Sequence, residues 1–391
     1  LVFLEPATEV DVGGLAAALG RHDSQADAFL GRILKDPAPS IIHHYSQEPP
    51  YPHALAGFAL SGALARRLAE DLEAHPLGSN QQIEPVWELA DWIKKLGVDL
   101  VDQSDVFCLE QRAGCATWVG RRDRHRASHG LTPRDVVVAV KTVGKFHSKR
   151  LPLIHEHWAA ASTAEVLYLS NEPFSDIPGA SVVDLSPEFG SRVDPAVEST
   201  KHGSGHCAKM EALLTHLAQS RPGKRWYVVT DDDTLLNVPR LLRVLDSHDD
   251  GGAVYLGERY GWSHREEHQG TNYITTGGGM ALSGPALVRL RSCESCTCGD
   301  PSAPDDMTLG TWFARLNIAA VHEEGFHQSE PFNHHPELLR HGEEPVSFHR
   351  FGVRLPASAT EAQKDAARRE NWGRWAREHF GPRGRAGADE L

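Results

Sequence analysis

The stretch Lys224-Arg225-Trp226-Tyr227-Val228-Val229-Thr230-Asp231-Asp232-Asp233-Thr234 decides how the rest of the chain is interpreted. Its apolar run, Trp226 to Val229, predicts a short strand of a parallel sheet, buried on both faces. The run ends in three aspartates, at the carboxyl end of the strand, where open α/β sheets bind ligands. Adjacent carboxylates repel one another unless a cation lies among them, and oxygen ligands suit a hard ion such as Mn²⁺ or Mg²⁺. The alternative is a solvated acidic turn with Asp233 as the N-cap of a helix.

Length and composition limit the classes of protein to consider. The chain has 391 residues, 40% of them hydrophobic and 24% charged, which indicates a globular protein long enough for two domains. The formal net charge of -13 argues against a nucleic acid or an anionic membrane surface as partner. No run of eighteen apolar residues occurs, so we expect no membrane-spanning helix.

The six cysteines and the C-terminus predict the compartment. An even number of cysteines suits full pairing in an oxidising environment, and their connectivity stays open, although Cys108 and Cys115 are close enough for a local bridge. Zinc at Cys293, Cys296 and Cys298 is disfavoured because no second C-x-x-C and no spaced histidine pair accompany them. The last four residues, Ala388-Asp389-Glu390-Leu391, resemble the K-D-E-L retrieval signal and predict a soluble protein of the endoplasmic reticulum lumen.

The chain divides into four predicted parts. Residues 1–120 alternate strand-like runs, such as Ile41–Tyr45, with helical patterns and predict an α/β domain. The arginine-rich segment 121–133 is typical of a linker. Residues 134–358 predict a second α/β domain, and residues 359–391 predict an exposed C-terminal helix followed by a flexible tail.

An internal repeat relates the two predicted domains. Tyr51–Leu68 and Tyr273–Leu290 align without a gap, and eight of the eighteen aligned positions are identical. The acid pair Asp305-Asp306 then falls opposite Pro85-Val86, and the first copy has no triple aspartate. We therefore expect two copies of one architecture, the first of them degenerate and non-catalytic. The alternative is that a shared glycine-rich turn and helix start imitate a repeat.

The second copy carries several further candidate features. A β-branched strand, Asp135–Val140, is followed by the basic segment Lys141–Arg150, which suits the phosphates of a nucleotide. Gly277–Gly279 would allow a close approach to a ligand, and the pair Asp305-Asp306 begins a helix. His327 follows a predicted strand and is a candidate metal ligand. Taken singly, each feature has an ordinary alternative: a solvated loop, a tight turn, first-turn acids or a chance histidine.

Together these motifs resemble a known family. The runs V-K-T-x-x-K-F-H-x-x-R, W-x-x-x-x-D-D-D, T-x-G-G-G-M, P-D-D-M-T-x-G and G-F-H-Q occur in this order within residues 134–350. In this combination they resemble the inverting fringe-like β-1,3-glycosyltransferases of the secretory pathway. Leu256–Gly261, Ala303–Met307 and the front segment around Ile41–His44 are similar to the branch that adds glucose to O-linked fucose on thrombospondin type 1 repeats.

The resemblance implies a fold, a reaction and a set of site residues. The fold would be GT-A, a Rossmann-like mixed and mostly parallel sheet flanked by helices, with UDP-glucose as donor and Mn²⁺ as cofactor. Asp233 and His327 would bind the metal, and Asp306 would be the general base. Other predicted contacts are those to the nucleotide sugar, at Thr142, Arg150, Asp231, Asp232, Asp233, Gly278 and Gly279, and those to the acceptor, at Glu258, Arg259 and Tyr260.

Two alternatives to this function stay open. The same fold could transfer N-acetylglucosamine or galactose from its UDP-sugar to another acceptor, because donor choice depends on a few pocket contacts. A different class is a catalytically dead lectin-like or chaperone-like protein of the endoplasmic reticulum. The second alternative is disfavoured because the triple aspartate, the acid pair and His327 are all retained.

Overall fold

The computed structural model describes residues 1–74, 81–120, 128–177, 180, 182–189, 206–262 and 270–381. Its strands are β1 (Val2–Phe3), β2 (Thr8–Val10), β3 (Phe29–Gly31), β4 (Ile33–Leu34), β5 (Tyr51–Pro52), β6 (Phe58–Leu60), β7 (Gln81–Gln82), β8 (Leu100–Asp102), β9 (Thr117–Val119), β10 (Val136–Lys141), β11 (Glu165–Ser170), β12 (Val182–Asp184), β13 (Trp226–Asp231), β14 (Thr234–Leu236), β15 (Tyr255–Gly257), β16 (Arg259–Trp262), β17 (Thr271–Ile274), β18 (Met280–Ser283), β19 (Ala320–His322) and β20 (Ser347–His349). Its α-helices are α1 (Val12–Leu19), α2 (Gly62–Ala74), α3 (Pro85–Lys95), α4 (His147–Ile154), α5 (Ser186–Phe189), α6 (His206–Ser220), α7 (Val238–Asp246), α8 (Gly284–Arg291), α9 (Asp305–Arg315), α10 (Pro336–His341) and α11 (Glu361–Trp375).

The chain forms two compact units. The first unit contains residues 1–126, 261–270 and 331–343, and the second contains residues 127–260, 271–330 and 344–391. The passage between them at 126/127 falls inside the segment that the sequence predicts to be a linker. The segments 261–270 and 331–343, which fall within the predicted catalytic domain, belong to the first unit. The ion pair between Arg32 Nη2 and Glu337 Oε1, at 3.2 Å, ties the second of these segments into that unit.

A seven-stranded sheet organises the second unit. The strand order is β12-β11-β10-β13-β18-β15-β19. The first four strands are parallel, β18 is antiparallel to both of its neighbours, and β19 is parallel to β15. The expected mixed, mostly parallel sheet is therefore confirmed.

The two central strands are apolar because both of their faces are covered. Residues Val136 to Val140 are fully buried, and Trp226 to Val229 are at most 3% exposed. On one face they pack with Leu213 from α6 and Phe313 from α9, among other apolar side chains. The prediction that the strand before the three aspartates is buried on both faces is confirmed, and polar residues begin where both strands end.

The first unit has a smaller sheet of its own. Its strand order is β1-β6-β3-β8, and its core includes Phe29, Leu64 and Trp87. The strand-like interpretation of Ile41–Tyr45 is wrong, because residues Ile41–His43 form a 3₁₀ turn. The Ser40 hydroxyl caps that turn by accepting the Ile42 N–H, and the following two residues have positive φ, which a strand does not allow.

All six cysteines are paired in the structure, as Cys108–Cys115, Cys207–Cys298 and Cys293–Cys296. The local bridge considered for the first pair is therefore present, and no cysteine remains for a zinc site. None of the helices in the described part of the chain has the length and hydrophobicity needed to cross a bilayer. The C-terminal tetrapeptide and most of the predicted linker lie outside the described residues.

Candidate active site

The candidate site lies where β10 and β13 end side by side. The two strands are parallel, and their register places Lys141 opposite Asp231. Asp232 and Asp233 follow in the turn to β14. Strand β14 pairs with β20, and this pairing sets His349 opposite Thr234, directly after the three aspartates in sequence. The pairing of β14 with β20 thus brings His349 to the carboxylates.

Asp231, Asp233 and His349 form a group that fits a metal ion. One ligand atom from each lies within 4.8 Å of the others. His349 Nε2 lies 3.0 Å from Asp233 Oδ1 and 3.9 Å from Asp231 Oδ2. Burial alone would lower the pKa of His349, but the two carboxylates outweigh it and the pKa is raised. The same carboxylates that favour a proton on the ring would favour a divalent cation in its place.

His327, the metal ligand expected from the sequence, is not part of this group. Its ring stacks on Phe348, with centroids 4.9 Å apart, and its carbonyl accepts the main-chain N–H of His349 at 3.1 Å. No spacing rule distinguishes His349 from His327 among the 23 histidines of the chain. No local pattern marks His349 either, because its place beside the aspartates depends on the pairing of β20 with β14.

Four predicted nucleotide-binding residues form one network. Asp232 is buried, and its carboxylate accepts hydrogen bonds from the Thr142 hydroxyl, at 2.7 Å, and from Arg150. Arg150 Nη1 also lies 3.0 Å from Asp233 Oδ2. Burial raises the pKa of Asp232 to about 6, whereas His349 and Arg150 outweigh burial at Asp233 and hold the pKa of that carboxyl below its usual range.

The second acid pair begins helix α9 and meets the first through a lysine. Lys141 Nζ lies 3.1 Å from Asp231 Oδ1 and also contacts the carboxylate of Asp305. Asp306 instead accepts the N–H of Met307 at 2.8 Å. Burial, and after it the neighbouring Asp305, raises the pKa of Asp306 to about 7. A carboxylate with a pKa near the working pH suits a general base.

The glycine run is required by packing within the site. Gly279 has a φ of +92°, and a Cβ on Gly277 would come within 2.5 Å of the His349 ring. A Cβ on Gly278 would lie 3.1 Å from the main-chain nitrogen of Gln328. The close approach that these glycines allow in this structure is therefore to the protein's own chain at Gln328 and His349.

The three residues predicted to contact an acceptor have partners of their own. Glu258 is 7% exposed, its carboxylate accepts the N–H of Gln328, and burial raises its pKa to about 8. Arg259 Nη1 donates to Asn272 Oδ1 at 2.9 Å. Tyr260 is buried and lies edge-on to Tyr273.

Comparison with known proteins places these features in a family. Residues 131–368 match the model of the family described as Fringe-like. The chain belongs to this family. It is 34% identical over 366 residues to human and mouse proteins named beta-1,3-glucosyltransferase, a match that spans 90% of this chain and 68% and 69% of those proteins. It is 30% identical over 221 residues to the zebrafish beta-1,3-N-acetylglucosaminyltransferase manic fringe, spanning 52% of this chain and 58% of that protein.

Among solved structures, the chain is similar to two glycosyltransferases. One is involved in glycosylation of the major capsid of PBCV-1, with 13% identity, coverage of 60% of this chain and 98% of that chain, and a TM-score of 0.31. The other is the galactosyltransferase LgtC, with 11% identity, coverage of 61% and 95%, and a TM-score of 0.34. At these scores the likeness adds nothing to the family assignment.

Proposed function

We propose that the protein transfers glucose from UDP-glucose, in β-1,3 linkage and with inversion, to O-linked fucose on thrombospondin type 1 repeats. One observation carries the proposal. A group that could bind a metal ion, formed by Asp231, Asp233 and His349, lies at the same edge of the sheet as the acid pair Asp305-Asp306. The identity to relatives named beta-1,3-glucosyltransferase over 90% of the chain supports glucose as the sugar. The acceptor rests on the resemblance of the motifs.

Asp306 is the proposed general base. Its carboxylate would take the proton from the fucose 3-hydroxyl as that oxygen attacks the anomeric carbon of glucose, so an α-linked donor gives a β-linked product. Its pKa of about 7 supports this role, because a fraction of the carboxyl is ionised at neutral pH and can accept a proton. Asp305 is the less suitable neighbour, since Lys141 already occupies its carboxylate.

Asp233 and His349 are the proposed metal ligands, with Asp231 close enough to join them. Two carboxylates and an imidazole suit Mn²⁺, and a divalent ion held there would stabilise the charge that develops on the leaving UDP. We propose His349 in place of His327, because the ring of His327 stacks on Phe348 outside this group. Thr142, Arg150, Asp232, Gly278 and Gly279 remain the proposed nucleotide-sugar contacts.

The proposed compartment is the lumen of the endoplasmic reticulum. The three disulfides support an oxidising environment. The segment Ala388–Leu391, which resembles a retrieval signal, supports the endoplasmic reticulum within the secretory pathway.

A panel of UDP-sugars tests the donor. Purified protein with Mn²⁺ is given UDP-glucose, UDP-galactose or UDP-N-acetylglucosamine together with an α-fucoside acceptor, and product is followed by mass spectrometry. We expect a hexose from UDP-glucose and a rate at least about tenfold lower with the other two. Transfer of N-acetylglucosamine would support the alternative donor, which the similarity to manic fringe makes the second candidate. No transfer and no UDP release with any donor would support a dead transferase fold.

A further inference from the structure

Glu258 is a buried carboxylate whose sequence-based assignment to acceptor binding does not match its contacts. It lies between β15 and β16, directly after Gly257, and is 7% exposed. Its Oε2 accepts the main-chain N–H of Gln328. A carboxylate turned inward onto the main chain is poorly placed to meet a protein acceptor. Its hydrogen bond to Gln328 instead links it to the contacts that Gln328 makes.

Gln328 connects Glu258 to two other parts of the site. Its side-chain oxygen accepts the N–H of Gly278 at 2.7 Å. Its main-chain carbonyl lies 3.1 Å from Nδ1 of His349. A carbonyl oxygen can only accept, so this contact requires a proton on Nδ1. The atom of the His349 ring that faces Asp233, at 3.0 Å, is then Nε2.

We propose that Glu258 is a positioning residue for the metal ligand His349. By binding the Gln328 N–H, Glu258 fixes the peptide whose carbonyl orients the His349 ring and sets its tautomer. Metal-binding histidines commonly donate their other ring N–H to such an oxygen, and loss of such partners typically costs about 10-fold to 100-fold in metal affinity or activity. The inference rests on the proposed function only in that a divalent cation binds at Asp233 and His349.

The first unit offers an internal comparison. Strand β3 pairs with β6 as β15 pairs with β18, and β9 pairs with β2 as β20 pairs with β14. In these registers Arg32 is the counterpart of Glu258, and Val119 is the counterpart of His349. Arg32 pairs with Glu337 through its side chain. The copy without the histidine thus also lacks the carboxylate, as expected if the carboxylate serves the histidine.

The test measures Mn²⁺ affinity in the presence of saturating UDP, by titration calorimetry or from the spin-resonance signal of free Mn²⁺. Glu258→Leu should raise the Kd for Mn²⁺ about 10-fold to 100-fold. Glu258→Gln, which keeps an oxygen acceptor for Gln328, should stay within about threefold of the wild type. The matched control is Glu323→Leu, which removes another buried carboxylate of the same unit, one that pairs with His248. It should leave the Kd unchanged.

The outcomes separate this inference from the proposed function. An unchanged Kd in Glu258→Leu, with a raised KM for the acceptor, would overturn the inference and restore the acceptor-binding assignment. If Glu258→Leu does not fold, Glu258→Asp serves instead, because its shorter side chain cannot reach Gln328 and should raise the Kd in the same direction. Wild-type protein that binds Mn²⁺ through His349 but transfers no glucose would overturn the proposed function alone. Absence of Mn²⁺ binding in the wild type would overturn both.

Discussion

The two units share a pattern of strand pairing but differ in the residues that follow the strands. In the first unit, β6 pairs antiparallel with β1 and β3, and β3 pairs in parallel with β8. In the second, β18 pairs antiparallel with β13 and β15, and β15 pairs in parallel with β19. The registers also agree, since Leu30 faces Ala59 and Val101 as Leu256 faces Ala281 and Val321.

The agreement extends to single hydrogen bonds. Thr8 and Thr117 donate to the carbonyls of Leu55 and Ala56, as Thr234 and Ser347 donate to those of Gly277 and Gly278. Gly57 and Gly279 both have positive φ. These shared contacts support the predicted internal repeat. That the first copy is catalytically inactive stays a prediction.

The two units differ in the residues at the ends of these strands. With this register, Glu5-Pro6-Ala7 stands where Asp231-Asp232-Asp233 stands, and Val119 stands where His349 stands. Helices α3 and α9 have the same length, so Pro85 and Val86 take the places of Asp305 and Asp306. The same strand pairing therefore forms without the triple aspartate, the second acid pair and the histidine. Adjacent carboxylates repel one another, and in the second unit Lys141, Arg150 and His349 offset that repulsion.

The largest expected effect comes from removing the proposed base from the second unit and its counterpart from the first. Asp306→Asn should lower kcat by about 10²-fold to 10⁴-fold, because the attacking hydroxyl loses its proton acceptor. UDP affinity and the melting temperature should stay close to the wild type. Val86→Ala in the first unit should leave turnover within about twofold. Near-normal turnover in Asp306→Asn, or a matching loss in Val86→Ala, would contradict the division of roles.

The disulfides of the two units are expected to contribute differently to the free energy of unfolding. Cys207–Cys298 in the second unit closes a separation of 91 residues, and Cys108–Cys115 in the first closes 7. Loop-closure entropy predicts a loss of about 4–5 kcal/mol for Cys207→Ser/Cys298→Ser and about 2–2.5 kcal/mol for Cys108→Ser/Cys115→Ser. Thermal and denaturant unfolding of the two variants would measure this. An equal or larger loss from the short bridge would show that chain entropy does not control the difference.

The metal site can be tested at its two candidate histidines. His349→Ala should weaken Mn²⁺ binding by about 100-fold, at the upper end of what residues that only orient a ligand cost. His327→Ala should leave Mn²⁺ affinity within about threefold and cost about 0.5–1.5 kcal/mol of stability, because it loses its stacking on Phe348. Val119→Ala, at the equivalent place in the first unit, is the control. The opposite ranking of the two histidine variants would restore the sequence-based ligand.

The smallest expected effect is on pH dependence. A base must be unprotonated, so kcat/KM should rise with pH up to the pKa of Asp306, about 7, and level off above it. The positive charge of Lys141 favours the ionised form of Asp306, so Lys141→Met should move this rise to higher pH. Lys364→Met, which removes an exposed lysine paired with Glu361, should not move it. A shift to lower pH in Lys141→Met would contradict the proposed electrostatics.

Much of the second unit could be predicted from its sequence, because its two central strands are apolar until their last residues. The runs Trp226–Val229 and Val136–Val140 are hydrophobic on both faces, which identifies buried parallel strands. The basic segment could be located because it follows one of these strands, the glycine run because it precedes the apolar residues Met280–Leu282, and the acid pair because it begins a helix.

The remaining features depend on contacts between distant residues. His349 meets Asp233 only because β20 pairs with β14, and neither three-residue strand has a pattern of its own. The same holds for Ile41–His43, where one serine hydroxyl turns an apolar run into a 3₁₀ turn. Glu258 shows a third case, because its inward orientation depends on the positive φ of Gly257 and the position of Gln328. Side-chain roles set by such pairings are not encoded in local spacing.

A mass measurement tests most directly whether the second unit is a metal-dependent glucosyltransferase. A folded, O-fucosylated thrombospondin type 1 repeat is incubated with UDP-glucose and the protein, with Mn²⁺ or with chelator. We predict a gain of one hexose with Mn²⁺, none with chelator, and none with Asp306→Asn. Hexose addition that persists in chelator or in Asp306→Asn would contradict the assigned site, and no addition under any condition would contradict the assigned reaction.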